Sequence, residues 1–185
     1  MTELIRNPRV MKKAKQELSE AIEAGRNIEE KDMSKLPYLR AIMKETMRLH
    51  PTAPFLLPHR CEAEAQVCGY TIPKGTQVIV NYWAIAHDEK HWENPKEFEP
   101  ERFLRAEFDF RGTNFSYIPF GSGRRICPGM SLGIRMMYLI LGSLVHRFDW
   151  KLPNGMEGKD LDVEDMFGAD LQKAKPLMAV PLFLK

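Results

Sequence analysis

Cys127 is the residue in this sequence best placed for chemistry. It lies near the end of a glycine-rich run, FGSGRRICPG at residues 120–129. Pro128 suits the first position of a helix, because a proline lacks the N–H that would have no partner there. The positive end of such a helix and the neighbouring Arg124 and Arg125 all favour a thiolate. A thiolate here either attacks a substrate or binds a metal, and the plainer alternative is a buried free cysteine.

The residues before Cys127 suit a flat and partly anionic ligand. Gly121 and Gly123 allow the backbone to approach a ligand closely, and Phe120 offers it an aromatic face. Arg125 could bind an anionic group. His59 is either a second donor to that anion or an ordinary loop histidine. A nucleophilic cysteine would instead need a histidine base; none is close in sequence, so that role is left to a distant one such as His59 or His87.

Two acid–arginine pairs point to a structural cluster. Glu45 and Arg48 are three residues apart and share one face of a helix, where an isolated pair would be a weak surface ion pair. A second pair, Glu101 and Arg102, lies in a proline-rich aromatic stretch. Because the planar arginine fork can bind a carboxylate and carbonyl groups together, Arg102 is predicted to dock this stretch onto Glu45 and Arg48. Such a cluster would be a structural clamp rather than a catalytic group.

Hydrophobic periodicity predicts a mainly α-helical fold with small β-sheets at its margins, an α+β class. Helices are expected at the first residues, from Pro8 to Gly25, over 36–49, for one turn over 83–87, and over 130–141, the last being apolar and buried. Residues 91–114 lack any period and are expected to form an ordered aromatic coil on the core. Strands are expected at 66–70 and 77–80 around a turn at 73–75, at 148–150 and at 177–184.

Composition indicates a globular chain. The 185 residues are 44% hydrophobic with a net charge of +2, so nothing points to nucleic acid. The three cysteines form no C-x-x-C pair, which disfavours a disulfide framework or a zinc site. No apolar run approaches the roughly 20 residues of a membrane span, and the first residues do not resemble a signal peptide. One domain over residues 1–185 is expected.

Three motifs together resemble the cytochrome P-450 family. FGSGRRICPG is similar to the family's haem-binding loop F-x-x-G-x-R-x-C-x-G, ETMR at 45–48 to its E-x-x-R helix, and PERF at 100–103 to its P-E-R-F motif. The opening TELIRNP resembles the end of the family's long central helix. The stretch at 167–176 resembles plant microsomal members, notably the terpenoid hydroxylases that include geraniol hydroxylases and ferruginol synthases. The resemblance covers essentially the whole chain and only the carboxyl-terminal part of the family's domain.

The resemblance implies a role for each candidate residue. Cys127 would be the axial thiolate ligand of the iron of haem b, and Arg125 and His59 would hold its propionates. The cofactor-binding set would be Phe120, Gly123, Arg125, Cys127, Gly129 and His59. The clamp on the haem side of the core would be Glu45, Arg48 and Arg102. Substrate contacts in segments 53–57 and 166–169 would be Ala53, Phe55, Leu56, Leu57 and Phe167, although packing alone also explains such apolar residues.

The same resemblance implies an O₂-dependent monooxygenase that hydroxylates a lipophilic small molecule, expected to be a terpenoid. Electrons would come from NADPH through a cytochrome P-450 reductase, whose docking Arg124 and Arg135 would assist. The family implies the cytoplasmic face of the endoplasmic reticulum membrane, through an amino-terminal anchor that this sequence lacks. The distal oxygen-activation helix is also missing, so the alternative is a truncated, non-catalytic haem-binding polypeptide. A haem-thiolate peroxide isomerase is disfavoured, because the loop carries no insertion.

Overall fold

The computed structural model describes residues 1–23, 25–168 and 170–184. The α-helices of this part of the chain are α1 Thr2–Arg6, α2 Pro8–Ala21, α3 Pro37–Leu49, α4 Tyr82–Ala86, α5 Arg102–Arg105 and α6 Met130–Arg147. A six-residue 3-10 helix lies at Glu30–Lys35, and single 3-10 turns lie at Gly123–Arg125, Pro153–Gly155 and Gly158–Asp160. Proline opens both α2 and α3, as its fixed φ and missing N–H favour.

The strands pair as small antiparallel ribbons. The pairs are β1 His59–Arg60 with β4 Gln77–Val78, β2 Ala65–Val67 with β3 Tyr70–Ile72, β5 Phe148–Lys151 with β8 Val180–Phe183, and β6 Asp165–Met166 with β7 Gln172–Lys173. In the β5–β8 ribbon Phe148 lies opposite Phe183, and the two rings are 4.9 Å apart. The predicted α+β class, mainly helical with small sheets, is confirmed.

The core lies where α2, α3 and α6 pack together. On α2 the buried residues Val10, Ala14 and Leu18 recur every four residues, which is the spacing of one helical face. Tyr138 of α6 is fully buried, and its hydroxyl lies 2.9 Å from the carbonyl oxygen of Met33 and 2.7 Å from that of Leu36. The hydroxyl is therefore paired as a buried polar group must be. These contacts fix α6 beside the start of α3.

The start of α3 is held by a carboxylate from α2. Its N-cap residue is Leu36, which has no polar side chain to accept a hydrogen bond. Glu17 accepts the Tyr38 N–H at 2.6 Å and the Leu39 N–H at 2.9 Å. A carboxylate that accepts first-turn N–H groups acts as a cap and complements the helix dipole. Burial raises the pKa of Glu17, against the opposing effect of these two hydrogen bonds.

The strand prediction at 66–70 is wrong, because the chain turns back at Cys68 and Gly69. These two residues connect β2 to β3, and both have positive φ, 48° and 83°. Two positive φ values are what a type I′ hairpin turn requires, and Asn-Gly is its usual sequence. Cysteine is not a turn signal, so the hairpin was not predicted. The strand predicted at 77–80 pairs with β1 instead.

Replacing Cys68 by asparagine is expected to stabilise the chain by about 1 kcal/mol, because asparagine tolerates the left-handed region better than cysteine. The free energy of urea unfolding measures this gain. Cys68→Ala is the matched control, since it removes the thiol and keeps the strain. An equal gain in both variants would contradict the backbone explanation.

Helix α6 is longer and less buried than predicted. It ends at Arg147, and its buried residues are Tyr138, Gly142 and Val145. The side chains of Leu132, Met136 and Ile140 recur every four residues and are 67%, 48% and 54% exposed. The apolar sequence of α6 therefore does not correspond to burial of the whole helix, since one apolar face is exposed. Of the helices in the described residues, none, α6 included, has the length and apolarity that a membrane crossing requires.

The aromatic stretch is an ordered coil, interrupted by α5. Trp92, Phe103 and Tyr117 are buried together, with 5.6 Å between the first two rings and 5.0 Å between the last two. Phe108 is partly buried and stacks on Trp92 at 4.9 Å. Phe115, which follows this stretch, is 71% exposed.

Candidate functional site

Cys127 lies exposed on a closed loop just before α6. Its N–H donates to the Phe120 carbonyl oxygen at 2.9 Å, which closes the loop. Its own carbonyl accepts the Met130 N–H at 3.3 Å, and Gly129 is the N-cap of α6. The prediction that Pro128 occupies the first helical position is therefore wrong, because the helix begins two residues later. The sulfur nevertheless lies within one turn of the positive end of an 18-residue helix.

Glycine is required at two points of this loop. Gly121 and Gly123 have φ values of 75° and 65°, a region that residues with a side chain rarely adopt. The second glycine begins a 3-10 turn, Gly123–Arg125, that leads to the cysteine. The Ile126 N–H donates to the Gly123 carbonyl at 3.2 Å. The loop therefore reaches Cys127 by a defined backbone path.

The aromatic and basic residues predicted to surround a ligand lie at or near the surface. Phe120 is half-buried, and its ring contacts that of Phe110 edge-on at 5.9 Å. Arg125 is exposed, and His59 is exposed on β1 opposite Val78. Among the described residues, neither Arg125 nor His59 has a side-chain hydrogen bond or an ion pair. The structure therefore leaves both basic groups available to an anion without joining them to each other.

Glu45, Arg48 and Arg102 form one buried cluster. The first two are fully buried and Arg102 is 8% exposed. Arg48 binds Glu45 through two parallel contacts, Nε to Oε2 and Nη2 to Oε1, both at 2.8 Å. Arg102 Nε and the Glu99 N–H donate to the same Oε1 at 3.1 and 2.9 Å. The structure thus brings together the three residues of the predicted clamp, and their role towards a haem stays a prediction.

The other N–H groups of the two arginines donate to backbone carbonyls. Arg48 Nη1 donates to the carbonyls of Ala86 and Pro95, each at 2.8 Å. Arg102 Nη1 donates to the Glu93 carbonyl at 2.9 Å. A buried ion pair is tolerated when its other donors are satisfied in this way. The contacts attach α4 and the aromatic coil to α3.

Two buried aromatic residues beside the cluster were missed by the sequence analysis. Tyr82 is fully buried, its hydroxyl has no hydrogen-bond partner among the described residues, and burial raises its pKa. The Trp92 ring lies 5.4 Å from the guanidinium carbon of Arg48, a cation–π arrangement. The sequence gives the aromatic content of this region but no sign of these partners.

Two further unpredicted residues attach the coil to its neighbours. Lys44 of α3 donates to the Phe108 carbonyl, and burial lowers its pKa. A Cβ at Gly112 would lie 2.5 Å from the Gly121 carbonyl oxygen, so only glycine permits this approach. Ser122 Oγ donates to the Gly112 carbonyl at 2.7 Å. The coil therefore supports the loop that carries Cys127, a contact for which the sequence offers no pattern.

The two predicted substrate segments lie next to each other. The rings of Phe55 and Phe167 meet edge-on at 5.9 Å and are 39% and 68% exposed. The Leu171 N–H donates to the Thr52 carbonyl at 2.8 Å and ties the backbones together. An exposed aromatic pair from distant parts of the chain is thus held by a main-chain contact.

Of the other predicted substrate residues, one is exposed at the surface, one is half-buried and one packs against the core. Leu57 is 81% exposed and Ala53 is half-buried. Leu56 packs partly against the cluster of Tyr82 and Ile118 and has a positive φ of 48°. Leu56 therefore contributes to packing. The predicted segment end at Ala169 lies outside the described residues.

An exposed cysteine on a closed loop before a long helix, together with a buried Glu–Arg–Arg cluster, is the arrangement that the resemblance to the cytochrome P-450 family leads one to expect. The chain matches the family Cytochrome P450 over residues 1–178, and it belongs to that family. It is 55% identical over 181 residues to geraniol 8-hydroxylase of Catharanthus roseus, covering 98% of this chain and 37% of that protein. It is 53% identical over 185 residues to geranylhydroquinone 3''-hydroxylase of Arnebia euchroma, covering 100% and 37%.

A solved structure agrees with the fold. The zebra fish cytochrome P450 with abiraterone superposes with a TM-score of 0.85 at 34% identity, over 98% of this chain and 41% of that one. The chain therefore spans well under half the length of the curated relatives and the solved structure that it matches.

Proposed function

We propose that the chain is the carboxyl-terminal, haem-ligating part of a monooxygenase that hydroxylates a lipophilic small molecule, and that this molecule is a terpenoid. The observation that carries the proposal is the exposed thiol of Cys127, on a closed glycine loop at the start of α6. Residues 1–185 then form one partial domain. The relatives named for geraniol and geranylhydroquinone hydroxylation support the substrate class.

The residues around Cys127 fit a haem b group. The thiol is exposed, and a Cβ at Gly129 would lie 3.8 Å from it, so any side chain at that position would contact the sulfur. Cys127 would bind the iron, Arg125 and His59 the propionates, and Phe120 would pack against the porphyrin. When bound, a cysteine-ligated haem supplies the activation of molecular oxygen. The positive end of α6, within one turn of the sulfur, complements the charge that a thiolate ligand would carry.

The exposed apolar residues at the two joined segments suit a lipophilic substrate. Phe55, Phe167 and Leu57 present aromatic and aliphatic surface to solvent, and Ala53 and Leu56 complete the predicted contact set. Apolar side chains that converge at a site exclude water and orient a ligand that has few polar groups. The edge-to-face pair is held in place by the Leu171–Thr52 contact and forms one wall of the proposed site.

Electrons would reach the haem from NADPH through a cytochrome P450 reductase. A basic surface near the cysteine loop favours an acidic partner. Arg124 is exposed, whereas Arg135 Nε lies 3.0 Å from Glu30 Oε1, so part of the predicted basic surface is neutralised within the chain. Attachment of the whole protein to the endoplasmic reticulum membrane through an amino-terminal anchor completes the proposal.

A truncated, non-catalytic haem-binding polypeptide is the second candidate. The observation that favours it is the exposed apolar face of α6 at Leu132, Met136 and Ile140. The two candidates differ in one respect that can be measured, because only the first predicts turnover by a longer protein that contains this chain.

Expression of the longest reading frame that contains this chain tests both. With reductase, NADPH and geraniol, the longer protein is expected to form a hydroxylated product, and residues 1–185 alone to form none. Product analysis by mass spectrometry measures this, and omission of NADPH is the control. Turnover by residues 1–185 alone would contradict the partial-domain proposal, and a transcript with a stop codon just upstream would favour the truncated polypeptide.

A further inference from the structure

Glu3 is a buried carboxylate that three side chains share. It lies on α1 and is 7% exposed. His50 Nε2 lies 2.9 Å from its Oε1, and Arg6 Nη1 lies 3.4 Å from the same oxygen. Asn7 Nδ2 donates to Oε2 at 3.1 Å. A buried carboxylate is costly unless it is paired and hydrogen-bonded, and here each oxygen has a partner.

The contact with His50 links α1 to the end of α3. It is the C-cap of α3, where the helical backbone ends with φ −125° and ψ 69°. Pro51 follows it and is buried, and the Thr52 carbonyl then accepts the Leu171 N–H. The next residues are the proposed substrate segment 53–57. Glu3 therefore holds the residue from which that segment leaves the helix.

The charges around Glu3 support an ionised carboxylate in this position. Burial alone raises its pKa, but the His50 hydrogen bond and the charges of His50 and Arg6 outweigh burial, so that the pKa is lowered. A cationic or donating imidazole at the last turn of α3 also complements the negative end of that helix. The pair thus joins two helices through a charge-assisted contact.

We propose that Glu3 is a positioning residue for substrate binding. Through His50 it fixes the direction in which residues 53–57 leave α3, and hence where Phe55 meets Phe167. The inference rests on the proposed function, because it assigns a task to the same substrate segment. Loss of the contact leaves the haem loop intact, since Cys127 is attached to α6 and the aromatic coil rather than to α1.

Glu3→Gln in the full-length, haem-loaded protein tests the proposal. Geraniol affinity is measured from the spectral shift on titration, and the thiolate-ligated state from the reduced carbon-monoxide spectrum. Glu3→Gln is expected to weaken geraniol binding roughly tenfold, the size of one charge-assisted hydrogen bond, with the carbon-monoxide band unchanged. His50→Leu is expected to match it, whereas His50→Gln keeps a donor and should stay within about threefold of the parent.

Glu17→Gln is the matched control, because Glu17 is a half-buried carboxylate that holds the other end of α3. It is expected to lower Tm and leave geraniol affinity unchanged. Equal losses of affinity in Glu3→Gln and Glu17→Gln, or a loss of Tm alone in Glu3→Gln, would overturn the proposal. Failure of the parent protein itself to show the carbon-monoxide band would instead overturn the proposed function. If Glu3→Gln does not fold, His50→Leu and His50→Gln test the proposal instead, and equal geraniol affinities in these two variants would overturn it.

Discussion

Replacing Cys127 by serine is expected to abolish the reduced carbon-monoxide Soret band of a thiolate-ligated haem and to leave the fold intact. The loop around Cys127 is closed by main-chain hydrogen bonds, from its N–H to Phe120 and from Met130 to its carbonyl, which serine retains. The side chain is exposed, so its replacement removes little packing. A hydroxyl is a far weaker anionic ligand than a thiol, so the iron loses its thiolate. Absorbance spectra of the reduced protein with carbon monoxide measure the change.

Two matched controls come from the other cysteines. Cys61→Ser removes a thiol just after β1 and Cys68→Ser one in the turn between β2 and β3, and both are expected to keep the band. Circular dichroism of Cys127→Ser verifies the intact fold. A thiolate-type band that persists in Cys127→Ser, or one that is lost in Cys61→Ser, would show that another residue binds the iron.

The residues of the buried Glu–Arg–Arg cluster were more predictable from sequence than the backbone contacts that surround the candidate site. Glu45 and Arg48 share a helix face by their spacing alone, and arginine chemistry suggests how Arg102, which lies 57 residues from Glu45, joins them. The resemblance to the family named the same three residues. These predictions rest on residue types whose chemistry leaves few alternatives in a folded chain.

The supports were unpredictable because they depend on contacts rather than composition. Gly112 matters because its φ is 70° and because the Gly121 carbonyl approaches it closely, and a lone glycine in a coil signals neither. The hairpin at Cys68 adopts positive φ with a residue that does not favour it. An apolar helix such as α6 likewise indicates apolar surface, and whether that surface is covered depends on what packs there. The hydrophobic pattern of a sequence indicates which residues tend to be buried, whereas the contacts of each residue depend on the tertiary structure.

Disrupting the buried clamp is expected to cost the most stability. Glu45→Gln should lower the free energy of unfolding by about 3–5 kcal/mol, because it leaves the buried guanidinium groups of Arg48 and Arg102 without their counter-charge. Arg102→Ala should cost less, since Glu45 keeps both contacts to Arg48 and the Glu99 N–H. Denaturant unfolding followed by circular dichroism measures both variants.

The same variants separate a clamp from a catalytic role. Arg102→Ala frees the Glu93 carbonyl and the aromatic coil that supports the Cys127 loop through Gly112, so haem retention should fall while the product pattern of the remaining holoenzyme stays the same. Arg105 on the same helix is 61% exposed at its side chain and pairs with Glu99, so Arg105→Ala should retain haem like the parent. Full haem occupancy with altered products in Arg102→Ala would place that arginine at the substrate, which its burial and its contact with Glu45 of α3 argue against.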